Sequence, residues 1–277
     1  MKKYLIPILL IPVLTFGVFA QGDFQKGVSY YKQGQYEKAI REFESILQKN
    51  PDYEPGYRVV GDCYLKLRKF AKAAELFHKA IELDATKYVS FWGAAVAEYN
   101  LRRYRDAVKT LSKAEKLARS PRQKYRIYQT RGSSYYHLGD FRNAVTDLDK
   151  AVSIQRGVFK DAFQLGVSYY QLGEYEKARL FLEQAAALEP SSVDAKRFLA
   201  RLNFTDAVAA IQAGDYTTAQ KLLQQFVEAN PEDGEAWFNL GLASLFLQDY
   251  ERAEQSFKLS ARFLPDSWEV YDRLGFI

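Results

Sequence analysis

Very few side chains in this sequence combine the residue types and the spacing that catalysis or metal binding requires. The 277 residues contain one cysteine, Cys63, and two histidines, His78 and His137. A structural zinc site needs four Cys or His ligands and an intrachain disulfide needs two cysteines, so neither can form from this set. The GxGxxG, GxxxxGK[ST], HExxH and GxSxG motifs do not occur in the sequence. We therefore predict no enzyme activity, no metal, no cofactor and no small-molecule substrate.

The reactive residue types that do occur have ordinary structural interpretations. His78 and His137 have no sequence neighbour that would make either a base or a ligand, so we expect surface or packing roles. Cys63 stands within an apolar helix face, which predicts a buried and inert thiol. Asp147 and Asp149 lie two residues apart on a predicted helix, where solvated charges are expected.

The elements that must position these residues repeat along the chain. Residues 34–39, 173–178 and 214–219 each place an aromatic residue three positions before an alanine. The same pair occurs seven times, as Tyr36/Ala39, Phe70/Ala73, Tyr104/Ala107, Phe141/Ala144, Tyr175/Ala178, Tyr216/Ala219 and Tyr250/Ala253. A large apolar residue stands four positions after each alanine, and a small residue stands nine positions before each aromatic residue. This period predicts a helix, a tight turn and a second helix in every unit.

The pattern resembles that of the tetratricopeptide repeat family over about residues 20–267. The resemblance implies an all-α fold, a right-handed α-solenoid of about seven helix-turn-helix repeats with a short C-terminal capping helix. The repeats are predicted at about 20–53, 54–87, 88–121, 125–158, 159–192, 200–233 and 234–267, with a half-repeat at 268–277. Extra residues at about 193–199 are predicted to lengthen the first helix of repeat six by nearly two turns.

The first twenty residues have the pattern of an export signal. Lys2 and Lys3 precede an uncharged apolar run over residues 4–19, which ends at the small residue Ala20. We expect a signal peptide at 1–20 that is cleaved before Gln21, which leaves the repeats over 21–267. The mature protein is then expected to be exported to the periplasm or secreted. A retained membrane anchor is the alternative, although the run is shorter than the roughly 20 residues that span a bilayer. No cysteine stands near the cleavage site, so a lipid-anchored N-terminus is not expected.

The resemblance also indicates where a partner binds. In tetratricopeptide arrays the first helices line a concave surface, and positions 5, 9 and 12 of each repeat share one face. The predicted partner groove consists of Phe24, Tyr31, Trp92, Val96, Tyr99, Tyr136, Phe163, Val167, Tyr170, Phe204 and Phe238. Aromatic-rich surfaces supply binding hot spots, whereas packing between neighbouring helices is the alternative interpretation.

One known binding mode of the family fits this sequence poorly. A subset of members holds a C-terminal carboxylate with Lys or Arg and Asn at fixed positions of three successive repeats. Here Arg58 and Arg126 occupy charged positions of that set, but Asp62, Gly93 and Thr130 occupy the others. The resemblance therefore argues against a carboxylate clamp of that type.

Positive charge is concentrated in one segment. The formal net charge of the chain is +5, yet residues 101–131 contain eleven basic and two acidic residues. The predicted basic patch consists of Arg102, Arg103, Arg105, Lys109, Lys113, Lys116 and Arg126. Such a patch could bind an acidic protein or an anionic surface, or could be a solvated helix surface. Nucleic acid is not expected as the partner of an exported protein.

Together these features predict a non-enzymatic scaffold of the cell envelope that binds a peptide or helical segment of a protein in an aromatic concave groove. One alternative is a peripheral envelope protein held on anionic lipid or cell-wall polymer by residues 101–131. Another is a regulatory or carrier subunit of an envelope enzyme complex. The sequence predicts no particular oligomeric state.

Overall fold

The structure is a computed structural model that describes residues 24–277, so the predicted signal peptide at 1–20 lies outside the described residues. All regular secondary structure within 24–277 is helical. The helices are α1 (24–32), α2 (Tyr36–Lys49), α3 (Glu54–Lys66), α4 (Phe70–Leu83), α5 (Tyr88–Asn100), α6 (Tyr104–Glu115), α7 (Pro121–His137), α8 (Phe141–Ile154), α9 (Phe159–Gln171), α10 (Tyr175–Leu188), α11 (Val193–Gln212), α12 (Tyr216–Ala229), α13 (Gly234–Phe246), α14 (Tyr250–Phe263) and α15 (Trp268–Phe276). The all-α fold of helix-turn-helix repeats that the sequence predicted is confirmed.

The described residues form two compact units, which we call unit 1 (24–156) and unit 2 (157–277). Unit 1 contains α1 to α8, and unit 2 contains α9 to α15. None of the helices in the described part is both long enough and apolar enough to cross a membrane.

The tight turn inside each repeat depends on one residue with positive φ. Four of the seven turns use a glycine, for example Gly34 at φ 73° and Gly173 at φ 76°. The equivalent residues Arg68, Arg102 and Gln248 adopt φ of 57°, 60° and 62°. A side chain disfavours this left-handed conformation, so the turn geometry is imposed by the packing of the two helices that it joins.

The spacing of small and large residues in the sequence follows from the packing of consecutive helices. The ring of Phe77 on α4 lies against Gly61 on α3 and Gly93 on α5. A Cβ atom built on Gly93 would lie only 2.3 Å from that ring, so no larger residue fits there. Ala73, one turn before Phe77 on α4, is fully buried. Each second helix is therefore held between the first helices of its own repeat and of the next one.

In unit 1 a buried ion-pair network joins three helices. The guanidinium group of Arg131 on α7 donates to both carboxylate oxygens of Asp147 on α8, at 2.6 and 3.0 Å. It also donates to Glu115 on α6 at 2.8 Å. Asp147 is only 3% exposed, so the prediction that it is a solvated charge was wrong. Its partner stands 16 residues earlier in the sequence and is brought to it by the helical hairpin.

In unit 2 the insertion lengthens a first helix, as the sequence predicted. Helix α11 has 20 residues, whereas the first helix α9 has 13. The Ser192 side chain accepts a hydrogen bond from the amide of Ala195 and caps the lengthened end. At the other end of unit 2, Val270 of α15 is fully buried against Phe257 of α14.

Candidate partner-binding groove

A cavity of about 540 Å³ lies on the face of unit 1 to which the first helices α1, α3, α5 and α7 contribute side chains. We call it the groove. Its apolar and aromatic wall is formed by Val28 and Tyr31 of α1, Val59 of α3, and Val89 and Trp92 of α5. Tyr31 and Trp92 belong to the groove residues predicted from sequence, and the structure brings them to one cavity.

The charged side chains of the groove are mostly basic. Lys32, Arg58, Lys66 and Arg126 line it together with one acidic residue, Asp62. Arg126 was predicted as part of the basic patch, and the structure places it in the groove. Lys32, Val59, Lys66 and Val89 were not among the predicted groove residues.

The missed residues share a helical face with the predicted ones. Counted from the start of each repeat they occupy positions 2, 6 and 13, which together with position 9 are spaced by four, three and four residues. Residues at these spacings lie on the same side of a helix. That spacing is the signal that could have found them, since the predicted face was limited to positions 5, 9 and 12.

Hydrogen bonds hold three of the polar groove residues in place. The Tyr31 hydroxyl on α1 donates to a carboxylate oxygen of Asp62 on α3. Burial and the neighbouring Asp62 carboxylate raise the pKa of Tyr31 above its ordinary value, so the phenol is protonated at neutral pH. Arg58 Nε donates to Glu54 Oε1 at 3.3 Å on the same helix. The Asp62 carboxylate therefore already accepts a hydrogen bond from Tyr31, and Arg58 is already paired with Glu54.

Trp92 is the central aromatic side chain of the groove. The guanidinium carbon of Arg126 lies 4.8 Å from the centroid of its indole ring, a cation–π contact. The indole Nε1 is buried and has no acceptor within residues 24–277. Trp92 thus offers ring surface, while its indole N–H is buried without an acceptor.

The other aromatic residues predicted for the groove in unit 1 lie elsewhere. The ring of Phe24 packs against Phe43, with the two centroids 5.4 Å apart, inside the first hairpin. The Tyr99 hydroxyl and His137 Nε2 are 3.1 Å apart, and the Tyr136 ring makes an edge contact with the same imidazole.

Tyr99, Tyr136 and His137 form an aromatic cluster that also contains Tyr104. The His137 imidazole stacks on the Tyr104 ring at a centroid distance of 4.7 Å, so this histidine has a packing role. The predicted groove residue Val96, one turn before Tyr99 on α5, is half-buried.

In unit 2, two predicted groove residues are covered by a side chain from the insertion. Phe198 of the lengthened helix α11 makes edge contacts with Phe163 and Tyr170 of α9, at centroid distances of 6.0 and 5.4 Å. Phe163 in addition stacks on Phe159 at 5.6 Å. Phe163 and Tyr170, both half-buried, thus pack against other aromatic rings of the same unit.

The remaining predicted groove residues of unit 2 pack inside it. Val167 is only 3% exposed. Phe204 contacts Phe226 at a centroid distance of 5.0 Å, and Phe238 contacts Phe257 at 5.7 Å. The observed contacts of these three residues fit packing between helices, the alternative to a binding role considered from the sequence.

The residues of the predicted basic patch lie partly on the exposed surface and partly in the groove. Six of its members are exposed, namely Arg102, Arg103, Arg105, Lys109, Lys113 and Lys116. Arg103 pairs with Asp106 at 2.8 Å. Arg131, which contributes to the charge of the segment, is buried and paired, so the surface is less positive than the sequence indicates.

The residue types that could do chemistry lie apart from one another. No group of three or more His, Cys, Asp or Glu side chains in the described part could hold a metal ion. Cys63 is fully buried, as the sequence predicted, and burial raises the pKa of its thiol to about 12. His78 Nε2 lies 2.8 Å from Oε1 of the buried Glu98.

The repeated hairpins and the concave wall of first helices define an all-helical repeat protein. Models of the tetratricopeptide repeat match residues 24–87 and 204–267, 159–192, and 125–157. These stretches together cover well over half of the sequence, and the chain belongs to the tetratricopeptide repeat family. Proteins of this family generally act as non-enzymatic scaffolds for protein–protein interactions and bind protein or peptide partners.

Similar proteins are found in several organisms. The chain is 26% identical over 164 residues to the Hsp70-Hsp90 organising protein of Plasmodium falciparum, covering 48% of this chain and 29% of that protein. It is 23% identical over 260 residues to the human Superkiller complex protein 3, covering 87% of this chain and 15% of that protein. The chain therefore spans less than a third of the length of these curated relatives.

Solved structures share the fold. The structure of MamA protein has a TM-score of 0.57 at 20% identity and covers 63% of this chain and 93% of its own. The C-terminal part of a tetratricopeptide protein from Cytophaga hutchinsonii has a TM-score of 0.56 at 21% identity, covering 91% of this chain and 99% of its own. At these identities the likeness concerns the fold alone.

Proposed function

We propose that this chain is an exported scaffold that binds a peptide or helical segment of a protein partner in the groove of unit 1. The observation that carries the proposal is the convergence of Tyr31, Trp92 and three valines in one concave wall. The volume of about 540 Å³ lies within the range of about 300 to 1,000 Å³ typical of ligand pockets. The scaffold role common to the family supports the same conclusion.

The groove offers two kinds of interaction to a peptide. The valines and the Trp92 ring provide apolar surface, whose burial is the main favourable contribution to association. The unused Trp92 Nε1 can donate to a backbone carbonyl once a partner displaces the side chains around it. Tryptophan is among the residues that most often dominate binding energy at interfaces.

The proposal is tested with the full chain and a library of random twelve-residue peptides fused to a carrier at both ends. We expect the wild-type protein to enrich binding peptides. Trp92→Ala should weaken the binding of those peptides by about 2 kcal/mol, or roughly thirtyfold, because it removes the central aromatic contact. Binding is measured by fluorescence anisotropy with labelled peptides.

The matched control is Trp237→Ala in unit 2. Trp237 is also a half-buried tryptophan of a first helix, but its indole N–H donates to the Pro231 carbonyl within the unit, at 2.8 Å. We expect this variant to bind the selected peptides as the wild type does. Failure to enrich any peptide, or equal loss in both variants, would contradict binding in the groove.

The exported location rests on the residues before the repeats. The basic, apolar and small segments of residues 1–20 support cleavage after Ala20. Sequencing of the N-terminus of the protein isolated from its native cells is expected to begin at or near Gln21. A mature species that still begins at Met1 would favour the retained anchor instead.

A further inference from the structure

A second cavity of unit 1, of about 460 Å³, adjoins the groove and is strongly basic. Its charged lining side chains are Arg58 of α3, Lys87 of the loop before α5, Lys116 at the end of α6 and Arg119 of the loop before α7. None of the side chains that line this cavity is acidic. We call it the basic cavity. Four positive charges around one concavity favour an anionic occupant.

The walls of the basic cavity are fixed by hydrogen bonds. Asp84 accepts from the amide and the hydroxyl of Thr86, at 2.8 and 2.6 Å, which orders the loop that carries Lys87. Ser120 and Gln123 form a capping box at the start of α7, and Gln123 Oε1 also accepts from the Arg119 amide at 2.7 Å. The loops that carry these cations are therefore positioned in advance of binding, which reduces the entropic cost of holding a ligand.

Two of the four cations have no acidic partner. Arg58 lies 3.3 Å from Glu54, and Lys87 lies 3.1 Å from Asp84. Lys116 and Arg119 form no ion pair with any carboxylate of the described residues 24–277. Their charges are available to a ligand.

The groove and the basic cavity lie side by side and share part of their lining. Arg58, Tyr88 and Val89 line both of them. The Tyr88 hydroxyl donates to the Gln123 carbonyl at 3.3 Å, so the shared wall is tied to the start of α7. A single extended chain can therefore place apolar side chains in the groove and the next few residues in the basic cavity.

We infer that the partner segment is acidic, with an apolar or aromatic anchor in the groove and neighbouring Asp or Glu side chains in the basic cavity. This inference rests on the proposed function. The charge complementarity points to carboxylates, and the lining shared with the apolar groove points to a peptide. A flat lipid surface cannot enter the concavity and would instead contact the exposed Lys109 and Lys113 of α6.

The peptide selection described above tests this inference, because both ends of every peptide are joined to the carrier and no free carboxyl terminus is present. We expect the enriched peptides to carry two or more acidic residues next to an apolar or aromatic residue. Replacing those acids by Gln or Asn in a synthetic peptide should weaken binding to the full chain about tenfold or more. Enriched peptides that require Trp92 but show no preference for acids would overturn the inference and leave the proposed function intact.

Two charge reversals of equal size locate the effect. Lys116→Glu with Arg119→Glu changes cations inside the basic cavity, and Lys109→Glu with Lys113→Glu changes cations on the same helix outside it. We expect about tenfold or greater loss of acidic-peptide binding in the first variant and less than about threefold loss in the second, because exposed charges beyond the site are screened by salt. Equal losses would show that the charge acts over the whole surface and would overturn the assignment to the cavity.

A milder variant guards against misfolding. Lys116→Gln with Arg119→Gln removes the same two charges without reversing them, and thermal unfolding followed by circular dichroism checks the fold of each protein. We expect intermediate loss of acidic-peptide binding and no change for the peptide whose acids were replaced. If the folded neutral variant binds both peptides as the wild type does, the basic cavity does not contact the partner.

Discussion

The two units use the same repeat positions in different ways. In unit 1 the side chains at position 5 of repeat three and position 12 of repeat one, Trp92 and Tyr31, line an open groove. In unit 2 the equivalent positions of repeat five, Phe163 and Tyr170, make edge contacts with Phe198. An aromatic stripe along the first helices therefore does not by itself identify a binding surface.

The difference has a local cause in unit 2. The insertion before repeat six lengthens α11 at its N-terminal end, and Phe198 lies in that added part. Unit 1 has an insertion as well, since α7 has 17 residues, but its added part carries the capping box that borders the basic cavity. The two insertions thus complete a packed aromatic cluster in one unit and the wall of a cavity in the other.

The largest effect on stability is expected from the buried ion pair of unit 1. Asp147→Ala leaves the Arg131 guanidinium, whose side chain is 10% exposed, without its two-point partner. We expect the free energy of unfolding to fall by about 3 kcal/mol, because the buried guanidinium loses both acceptor oxygens of Asp147 and keeps Glu115 as its carboxylate partner. Chemical denaturation measures the loss, and hydrogen exchange assigns it to unit 1.

The control for this prediction is the exposed pair of unit 2. Arg179 and Asp206 also join two helices, but their side chains are 26% and 45% exposed. Asp206→Ala should cost less than about 1 kcal/mol, as exposed pairs generally do. Arg131→Met with Asp147→Leu should recover much of the Asp147→Ala loss, and equal costs for the two Asp variants would contradict the account.

The next largest effect is expected in unit 2. Phe198→Ala removes the side chain that covers Phe163 and Tyr170 and should lower the free energy of unfolding by about 2 kcal/mol. This is less than the roughly 3 to 5 kcal/mol for a fully buried phenylalanine, since Phe198 is half-buried. Binding of the selected peptides by unit 1 should not change.

A second phenylalanine of unit 2 serves as the comparison. Phe246 is 57% exposed and stacks on Tyr216 at a centroid distance of 4.4 Å. Phe246→Ala should cost about 1 kcal/mol or less, which is the usual contribution of an aromatic pair. If both variants lose the same stability, Phe198 is not a packed cover.

The sequence predicted the fold of these units better than it predicted which of their residues line the candidate binding site. The packing of each hairpin depends on residues that are three, four and nine positions apart in the sequence. The regular spacing of small, aromatic and alanine residues was therefore enough to predict the helices and turns. The contact of Phe77 with Gly61 and Gly93 is the physical basis of that period. Such local spacing is visible in one sequence without any structure.

The site depends on contacts between distant residues and was predicted only in part. Tyr31 meets Asp62 across 31 residues, and Phe198 of α11 meets Phe163 of α9 across the intervening helix α10. The face of each helix that remains open is decided by such neighbours, so position 5 lines the groove at Trp92 and is packed at Phe163. The charge run of residues 101–131 likewise gave no sign that Arg131 turns inward.

A smaller effect compares position 12 in the two units. Tyr31→Phe removes the hydroxyl that donates to Asp62 and should lower the free energy of unfolding by about 1 kcal/mol. Tyr170 at the same position of repeat five contacts Phe198 and Tyr175 through its ring, so Tyr170→Phe should change stability by less than about 0.5 kcal/mol. Urea denaturation of both variants makes the comparison, and the reverse order of losses would contradict it.

The smallest effect is the histidine-linked pH dependence of stability, which can arise only in unit 1 because residues 157–277 contain no histidine. The hydrogen bond to Glu98 raises the pKa of His78, and burial opposes this only in part. A folded-state pKa above the ordinary value of about 6.5 means that the folded protein binds the proton more tightly than the unfolded chain. The resulting stability is fully present below about pH 6.5 and is lost as pH rises through the raised pKa.

The difference in unfolding free energy between wild type and His78→Gln should therefore be larger at pH 5.5 than at pH 8.5, by less than about 1 kcal/mol because the histidine is half-exposed. Glu98→Gln keeps a hydrogen-bonding side chain but removes the charge, so an NMR titration should show the His78 pKa falling in that variant. A His78 pKa that is the same in wild type and Glu98→Gln would show that this carboxylate does not hold the proton.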